Sequence, residues 1–236
     1  MILEINEQNN VDILYEDNHV IVVNKPAGIL SQKDKTNDDS ILEIVKDYIK
    51  ITYNKPGNVF LGLVHRLDRP TSGVMVFART SKALTRLTVS LKAKEFDKKY
   101  YAILDGKMNI KSGELIHYLV KDNIHNVVKA YPKPVNNSKK AELKFNLIGV
   151  IEDLSLVNIH LITGRSHQIR SQFSKAFYPV AGDFKYGSRT KIKDRSICLH
   201  CHSLSFIHPV KKERMVFTSM PDYDKCLWKK FIKILG

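Results

Sequence analysis

The densest run of ionisable side chains within an apolar frame is VHRLDRPTSG, residues 64–73. Asp68 lies there between Arg66 and Arg69. If the backbone is extended, the side chains of Arg66 and Asp68 project to the same side, because strand side chains alternate. Flanking guanidinium groups favour the ionised carboxylate, and an ionised, partly desolvated aspartate can act as nucleophile or general base. The spacing alone favours a structural Arg–Asp bridge that ties down a loop.

A second cluster is LITGRSHQIR, residues 161–170. Arg165 follows a Thr-Gly turn, and Ser166 can cap a helix that begins there. A guanidinium and free backbone N–H groups at a helix N-terminus attract an anion, which could be a phosphate or the carboxylate of Asp68. His167 and Gln168 follow in the first turn of this helix. Arg170 is expected to face outward, one turn from Arg165. Helix capping beside a solvated basic face explains the same pattern equally well.

Two adjacent tyrosines occur in FDKKYYAIL, residues 96–104. On a strand, Tyr100 and Tyr101 point to opposite faces, so one enters the core. The other is free to stack on a base or to donate its hydroxyl. Two structural tyrosines remain the simpler interpretation of this segment by itself.

Cys198 and Cys201 in CLHCHSLSFIHP have the spacing of a zinc-binding Cys-x-x-Cys pair. Three histidines are close in sequence: His200, His202 and His208. A structural zinc needs four ligands in compatible directions, and the sequence offers no second Cys-x-x-Cys or His pair. We therefore expect a buried strand that ends at Pro209, and no metal.

Composition narrows the class of protein. The 236 residues carry 38 Lys and Arg against 24 Asp and Glu, a net charge of +14. Residues 1–48 have a net charge of −6, so the later residues carry +20. A chain this basic usually binds a polyanion, although a lysine-rich genome could also produce such a charge. No Walker, Rossmann, zinc-protease or serine-hydrolase motif is present.

The pattern also indicates where the protein works. The sequence contains no run of 18 apolar residues and no signal peptide. It has three cysteines, and an odd number does not indicate a disulfide framework. We expect a cytoplasmic monomer that does not bind membranes.

Hydrophobic periodicity predicts an α+β fold, with many strands and irregularly placed helices. Helices are predicted after a Ser40 cap, after a Ser81 cap, and at 166–177 and 222–235. Strands are predicted at 13–15, 20–23, 61–64, 74–78, 100–104, 114–120, 141–150, 154–161, 199–206 and 215–218. Because no long linker interrupts this pattern, we expect one domain over residues 1–236.

These segments, in this order, resemble the RluA-type pseudouridine synthase family. HRLDRPTSG matches the family's H-R-L-D-x-x-T-S-G signature, KKYYA matches K-x-Y-x-A, and TGRSHQIR matches T-G-R-[ST]-H-Q-I-R. YEDNHVIVVNKPAGILSQ resembles the family's opening segment, and PVAGDFKYG and LHCHSLSFIHP resemble its later motifs. The resemblance covers residues from about 11 to about 220.

The resemblance implies isomerisation of uridine to pseudouridine in RNA, without metal or organic cofactor. It makes Asp68 the carboxylate that attacks the uridine, at the sugar or at the ring. Tyr100 would pack against the target base and accept the proton from carbon 5, Arg165 would pair with Asp68, and Arg66 would enter the RNA stack. Other motif side chains would contact RNA: His65, Arg69, His167, Gln168 and Arg170.

The family also implies a mixed, mostly antiparallel central sheet, flanked by helices, with a central RNA-binding cleft. We expect no accessory RNA-binding domain before the opening segment, and a substrate in rRNA or tRNA. A non-catalytic RNA-binding or ribosome-assembly protein on the same fold is the alternative. Its mark would be loss of Asp68, Tyr100 or Arg165, and all three are present. A zinc-dependent nucleic-acid enzyme is a third possibility.

Overall fold

The computed structural model describes residues 11–36, 38–192 and 196–236. Contacts divide the chain into two compact units. The first contains the described residues up to Phe96 together with Ser203–Ser219, and the second contains Asp97–His202 and Met220–Gly236. The expectation of one domain stays a prediction, because a division of contacts does not define what folds independently.

The first unit is built around two apolar strands. Its elements are β1 (Asp12–Glu16), β2 (Val20–Lys25), α1 (Ile41–Thr52), β3 (Gly62–Leu63), β4 (Ser72–Ala78) and α2 (Ser81–Lys92). β2 pairs antiparallel with both β1 and β4. VIVV and VMVF are β-branched or large and apolar, so both strands are buried on both faces. One face packs on Ala83 and Leu87 of α2.

Both helices of this unit begin at a side-chain cap. Ser40 precedes α1 and its Oγ accepts a hydrogen bond from the Glu43 N–H at 3.4 Å, as predicted. The predicted cap of α2, Ser81, is wrong by one residue. Thr80 is the extended cap residue, and its Oγ1 accepts from the Ala83 N–H at 3.1 Å.

The second unit contains five consecutive strands in the order β5–β9–β8–β6–β7, each antiparallel to its neighbour. They are β5 (Asp97–Asp105), β6 (Ser112–Asp122), β7 (Val127–Tyr131), β8 (Lys139–Ile151) and β9 (Leu154–Leu161). Helix α3 (Gln168–Lys175) follows, and the Phe173 and Phe145 rings meet edge to face at 5.5 Å. β7, which is only five residues long, is absent from the predicted strands.

Strand β10 (Leu199–Ile207) contributes residues to both units. Its Ser203–Ile207 part pairs antiparallel with β11 (Arg214–Thr218) in the first unit. The predicted strands at 199–206 and 215–218 are therefore present.

The predicted closing helix at 222–235 is mostly wrong. A 3₁₀ turn occupies Trp228–Phe231 and the helix α4 only Ile232–Leu235. The preceding chain is held differently, because Cys226 has a positive φ of 54° and forms a disulfide bond with Cys198. Trp228 and Phe231 are buried in the same core.

The predicted α+β class, with a mixed, mostly antiparallel sheet and flanking helices, is confirmed. The central cleft stays a prediction. Among the described residues, no helix combines the length and the apolar composition needed to cross a bilayer.

Candidate active site

Asp68 lies in an extended segment between β3 and β4, where outward and inward side chains alternate as predicted. His65 and Leu67 are buried at 8% and 6% exposure. Arg66 is exposed and Asp68 half-buried. The two charged side chains therefore lie away from the core that holds Leu67.

Ser31 fixes the backbone immediately before Asp68. Its hydroxyl donates to the Leu67 carbonyl at 2.6 Å and accepts from the Leu67 N–H at 3.1 Å. Ser31 is itself buried. After Asp68, the Thr71 N–H donates to the Asp68 carbonyl at 3.0 Å and closes a turn. The aspartate is thus held from both sides by main-chain hydrogen bonds.

Lys25 is a buried lysine beneath this segment that the sequence analysis did not single out. Its fully buried Nζ donates to the carbonyls of Pro26 and Ile29 at 2.8 Å and of Arg69 at 3.3 Å. Burial lowers the pKa of Lys25 to about 7, while the negative charge of Asp68 opposes that shift. The available signal was a lysine at the end of β2, two residues after the apolar run and directly before a proline.

The loops around Lys25 and Asp68 are also joined by main-chain bonds. The Gly28 N–H donates to the Arg69 carbonyl at 2.8 Å, and Arg69 Nε donates to the Gly28 carbonyl at 2.9 Å. Gly28 has φ of +89°, which favours glycine. Arg69 also pairs with Asp38 at 2.7 Å, and both side chains are about half exposed.

His65, a predicted RNA contact, is buried against the strand that follows. Its Nε2 accepts from the Val76 N–H at 3.2 Å, and its ring lies 6.3 Å from that of Phe96. These contacts support a structural part for His65. Its predicted contact with RNA stays a prediction.

Tyr100 is on β5 in the second unit, opposite Ile159 of β9. It is 6% exposed, whereas Tyr101 on the other face is half-buried and stacks on His202 at 3.8 Å. The prediction that the two tyrosines point to opposite faces agrees with this arrangement. Lys98 precedes Tyr100 by two residues on the same strand, and burial lowers the pKa of Lys98.

Arg165 lies in an exposed turn after β9 that Gln168 holds in place. The Gln168 Oε1 accepts from the Arg165 N–H at 3.0 Å and from the Thr163 hydroxyl at 2.8 Å. Its Nε2 donates to the Glu142 carbonyl at 3.0 Å. The Arg165 Nε donates to the Lys140 carbonyl at 3.2 Å, which directs its side chain. Gln168 is buried, so these bonds occupy much of a side chain predicted to contact RNA.

The predicted capping of this helix by Ser166 is wrong. α3 begins at Gln168, and the residue before it, His167, has a left-handed φ of 48° and makes no side-chain cap. His167 Nδ1 instead lies 2.8 Å from the Tyr186 hydroxyl. The Tyr186 oxygen also accepts from the Val128 N–H, so it joins α3 to β7.

The expectation that Arg170 faces outward is also wrong. Arg170 is 5% exposed and donates two hydrogen bonds to Asp183, from Nε to Oδ2 at 2.6 Å and from Nη2 to Oδ1 at 2.9 Å. Its guanidinium lies 4.8 Å from the centre of the Tyr186 ring. Arg170 is buried because six consecutive residues of α3, from Gln168 to Phe173, are buried, so this part of the helix has no solvated basic face. Its predicted RNA contact stays a prediction.

The Cys-x-x-Cys segment forms a buried strand, as expected. Cys198 bonds to Cys226, Cys201 is a buried thiol, and the His200 ring lies 6.4 Å from that of Trp228. Across the described ranges, no three His, Cys, Asp or Glu side chains form a group that could hold a metal ion.

The model of the RNA pseudouridylate synthase family matches residues 19–175, which include the Asp68 segment, Tyr100 and Arg165. The chain belongs to this family. It is 34% identical over 211 residues to YhcT, an uncharacterised RNA pseudouridine synthase of Bacillus subtilis (strain 168), covering 89% of this chain and 68% of that protein. It is 33% identical over 225 residues to ribosomal large subunit pseudouridine synthase C of Buchnera aphidicola subsp. Baizongia pistaciae, covering 91% of this chain and 68% of that protein. These relatives confirm the RluA-type resemblance.

Solved structures agree on the fold. Human RNA pseudouridylate synthase domain containing 4 superposes with a TM-score of 0.74 at 22% identity, over 89% of this chain and 88% of that one. Human RNA pseudouridylate synthase domain containing 1 gives 0.72 at 23% identity, over 94% and 87%. The fold agrees with the family match and with the named relatives, which make the chain an RNA pseudouridine synthase.

Proposed function

We propose that this RNA pseudouridine synthase modifies uridines in large-subunit ribosomal RNA, with Asp68 as its catalytic carboxylate. The observation that carries the proposal is the placement of Asp68. The carboxylate is half-buried, on a backbone held by Ser31 and by Lys25. The ribosomal assignment follows the names of relatives such as the Buchnera aphidicola enzyme.

The reaction rearranges one nucleoside and needs no second substrate. The C1′–N1 glycosidic bond breaks, a C1′–C5 bond forms, C5 gives up its proton, and N1 gains one. A base inside RNA structure must leave its stack before these atoms can be reached. We propose that Asp68 attacks the uridine and that Arg66, which is exposed, enters the space in the stack.

Two groups of the second unit complete the proposed chemistry. Tyr100 combines an aromatic face for the target base with a phenol oxygen that can accept the proton from C5. Arg165 would pair with Asp68 and stabilise its charge. The hydrogen bonds that Gln168 and Lys140 make to Arg165 support this positioning role.

The charge of the chain supports an RNA partner. Residues after 48 carry a net +20, so we expect binding to weaken steeply with salt as counterions are released. Filter binding across a salt series measures this, and an affinity that does not change with salt contradicts it.

We also propose that the enzyme is a monomer and works in the cytoplasm; the second part follows relatives named ribosomal large subunit pseudouridine synthase C, such as that of Buchnera aphidicola. Cytosolic thiol systems keep most cysteines reduced, so we expect Cys198 and Cys226 to exchange between the disulfide and two thiols. Alkylation followed by mass spectrometry measures that ratio.

The Asp68→Asn variant tests the mechanism. Pseudouridines are mapped across total RNA from a strain lacking the gene and carrying wild-type protein, Asp68→Asn, or Asp47→Asn on the exposed surface of α1 as control. We expect wild type and control to restore pseudouridine in large-subunit rRNA and Asp68→Asn to restore none while still binding RNA. Activity in Asp68→Asn contradicts the mechanism. If the wild-type protein restores pseudouridine only in tRNA, the proposed ribosomal substrate is wrong. If the wild-type protein binds RNA but restores no pseudouridine, a non-catalytic assembly protein is favoured.

A further inference from the structure

The first unit contains a cleft of about 250 Å³ between the C-terminal half of α2 and the turn that joins β10 to β11. It is lined by Thr85, Arg86, Val89, Ser90, Glu95, Ile207, His208, Pro209 and Lys212. None of these residues belongs to the candidate active site. The cleft is therefore a separate feature of the same unit.

The walls of the cleft are fixed by hydrogen bonds. On one side, Arg86 Nη1 donates to the Pro209 carbonyl at 2.9 Å. On the other, the buried His208 ring accepts at Nδ1 from the N–H groups of Val210 and Lys211, and its Nε2 lies 3.0 Å from Asp17 Oδ2. A ligand would meet a preformed surface, which lowers the entropic cost of binding.

The surface around the cleft is strongly positive. Residues 81–95 and 207–214 carry seven lysines and arginines against two glutamates, a net charge of +5. The lining has Arg86 and Lys212 against Glu95, and Asp17 lies beside His208, so positive charge is in excess without being the only sign present. An excess of positive charge concentrates ligands of the opposite sign, which favours an anionic partner.

The lining combines this charge with an apolar floor. Val89, which is 61% exposed, lies beside Ile207 and Pro209. Within the part of the chain that the structure describes, Pro209 is the one hydrogen-bond acceptor of the Arg86 guanidinium, so the remaining N–H groups of Arg86 can bind a phosphate. Lys212 adds a second cation at the rim.

We propose that this cleft binds one nucleotide of an RNA strand, distinct from the uridine that is isomerised. The phosphate would lie between Arg86 and Lys212, and the base or ribose would cover Val89. Glu95, whose Oε2 accepts from the Ser90 hydroxyl, offers an acceptor for a ribose hydroxyl or a base N–H. This inference rests on the proposed function, because it assigns a second contact to the same RNA.

The backbone suggests an informative substitution. Lys212 and Lys94 both have left-handed φ angles, of 64° and 60°, and both are exposed. Asparagine tolerates this conformation better than most residues, so Lys→Asn removes a charge at either position without straining the chain. Only Lys212 lines the cleft.

The experiment compares two double variants with equal charge loss. Arg86→Gln/Lys212→Asn changes the cleft, and Lys50→Gln/Lys94→Asn changes exposed lysines outside it. Fluorescence anisotropy measures binding of a single-stranded RNA of about 20 nucleotides at salt from about 50 to 300 mM. We expect affinity to fall about tenfold for the cleft variant, with the salt slope reduced by about 1.4, and much less for the control.

Equal losses in the two double variants contradict the proposal, because a general field would then explain them. Wild-type RNA affinity in the cleft variant also contradicts it and points to an acidic protein as the partner. Lys212→Asn alone should lose about threefold, which separates lost charge from any disturbance caused by Arg86→Gln. Failure of this proposal can be told apart from failure of the proposed function. If the proposed function is wrong, the wild-type protein forms no pseudouridine, whereas the binding comparison does not depend on isomerisation.

Discussion

Each unit contains an Arg–Asp pair near a sequence motif, and the two pairs differ mainly in burial. In the first unit, Arg69 and Asp38 lie 2.7 Å apart with side chains 48% and 46% exposed. In the second, Arg170 and Asp183 lie 2.6 Å apart with side chains 7% and 1% exposed. The exposed guanidinium can exchange its partner for a phosphate. The buried one instead ties α3 to the segment before Tyr186.

This difference shows that an arginine in an RNA-enzyme motif is not by itself an RNA contact. Arg66 and Arg165 are exposed, whereas Arg170 is enclosed by Asp183 and Tyr186. Burial therefore separates residues that can meet RNA from residues that position them. Four substitutions test the distinction through the free energy of unfolding.

The largest effect is expected for Asp183→Asn. The substitution leaves the Arg170 guanidinium buried without its counter-charge, which should lower the free energy of unfolding by about 3 to 5 kcal/mol. Urea denaturation at pH 7 measures the loss.

The control for that prediction replaces both partners. Arg170→Met/Asp183→Leu removes both charges, so it should cost less than Asp183→Asn alone. A double variant as unstable as the sum of the single variants would show that the two side chains do not depend on each other.

Lys25→Met should have the next largest effect. It deprives three part-buried main-chain carbonyls of their donor, which we expect to cost about 2 kcal/mol at pH 8. The unfolded lysine holds its proton up to its ordinary pKa of 10.5, whereas the folded one releases it at a pKa of about 7. Between pH 7 and pH 10.5 the unfolded state therefore binds more protons than the folded state. In that range the titration of Lys25 raises the free energy of unfolding of the wild type by up to about 1.4 kcal/mol per pH unit.

The pH series separates charge from packing. Lys25→Met lacks this titration, so the stability gap to wild type should widen from pH 7 towards pH 10 and become constant well below pH 7, where both states of wild type hold the proton. Lys33→Met, an exposed lysine in the same unit, should show no such trend. A constant gap across the series would mean that the folded Lys25 keeps its proton.

Much of the fold could be predicted because its strands are marked by apolar runs. The sequence placed β9 at its observed bounds, and Ser40 was identified as a helix cap. The closing helix failed for a tertiary reason, since Cys226 is bonded to Cys198, 28 residues earlier in the chain. Periodicity within a segment contains no information about such a partner.

The site residues divide in the same way. The family resemblance, rather than spacing alone, singled out Asp68 and Arg165; Asp68 is half-buried and Arg165 is exposed. The residues that fix them act through contacts with distant segments: Ser31 and Lys25 hold the backbone beside Asp68, and the Lys140 carbonyl holds Arg165. Arg170 lies inside because α3 is buried on all sides at this point and Asp183, 13 residues later in the chain, supplies its counter-charge.

Gln168→Leu tests the second unit's turn and should have a smaller effect. The variant loses three hydrogen bonds of a neutral amide, for about 1 to 2 kcal/mol of stability. If Gln168 acts by positioning Arg165, kcat should fall while RNA affinity stays close to wild type. A loss of affinity with unchanged kcat would make Gln168 an RNA contact, as the sequence first indicated.

The smallest effect is expected for Asp38→Asn. Both side chains of its pair are about half exposed, so water and salt screen the attraction and the loss should be below about 1 kcal/mol. Arg69→Gln alone is a poor measure of the pair, because Arg69 Nε also donates to the Gly28 carbonyl. A double-mutant cycle removes that contribution and isolates the coupling between Arg69 and Asp38. If the coupling energy of Arg69 and Asp38 equalled that of Arg170 and Asp183, measured by the same kind of cycle, burial would not explain a difference between the two pairs.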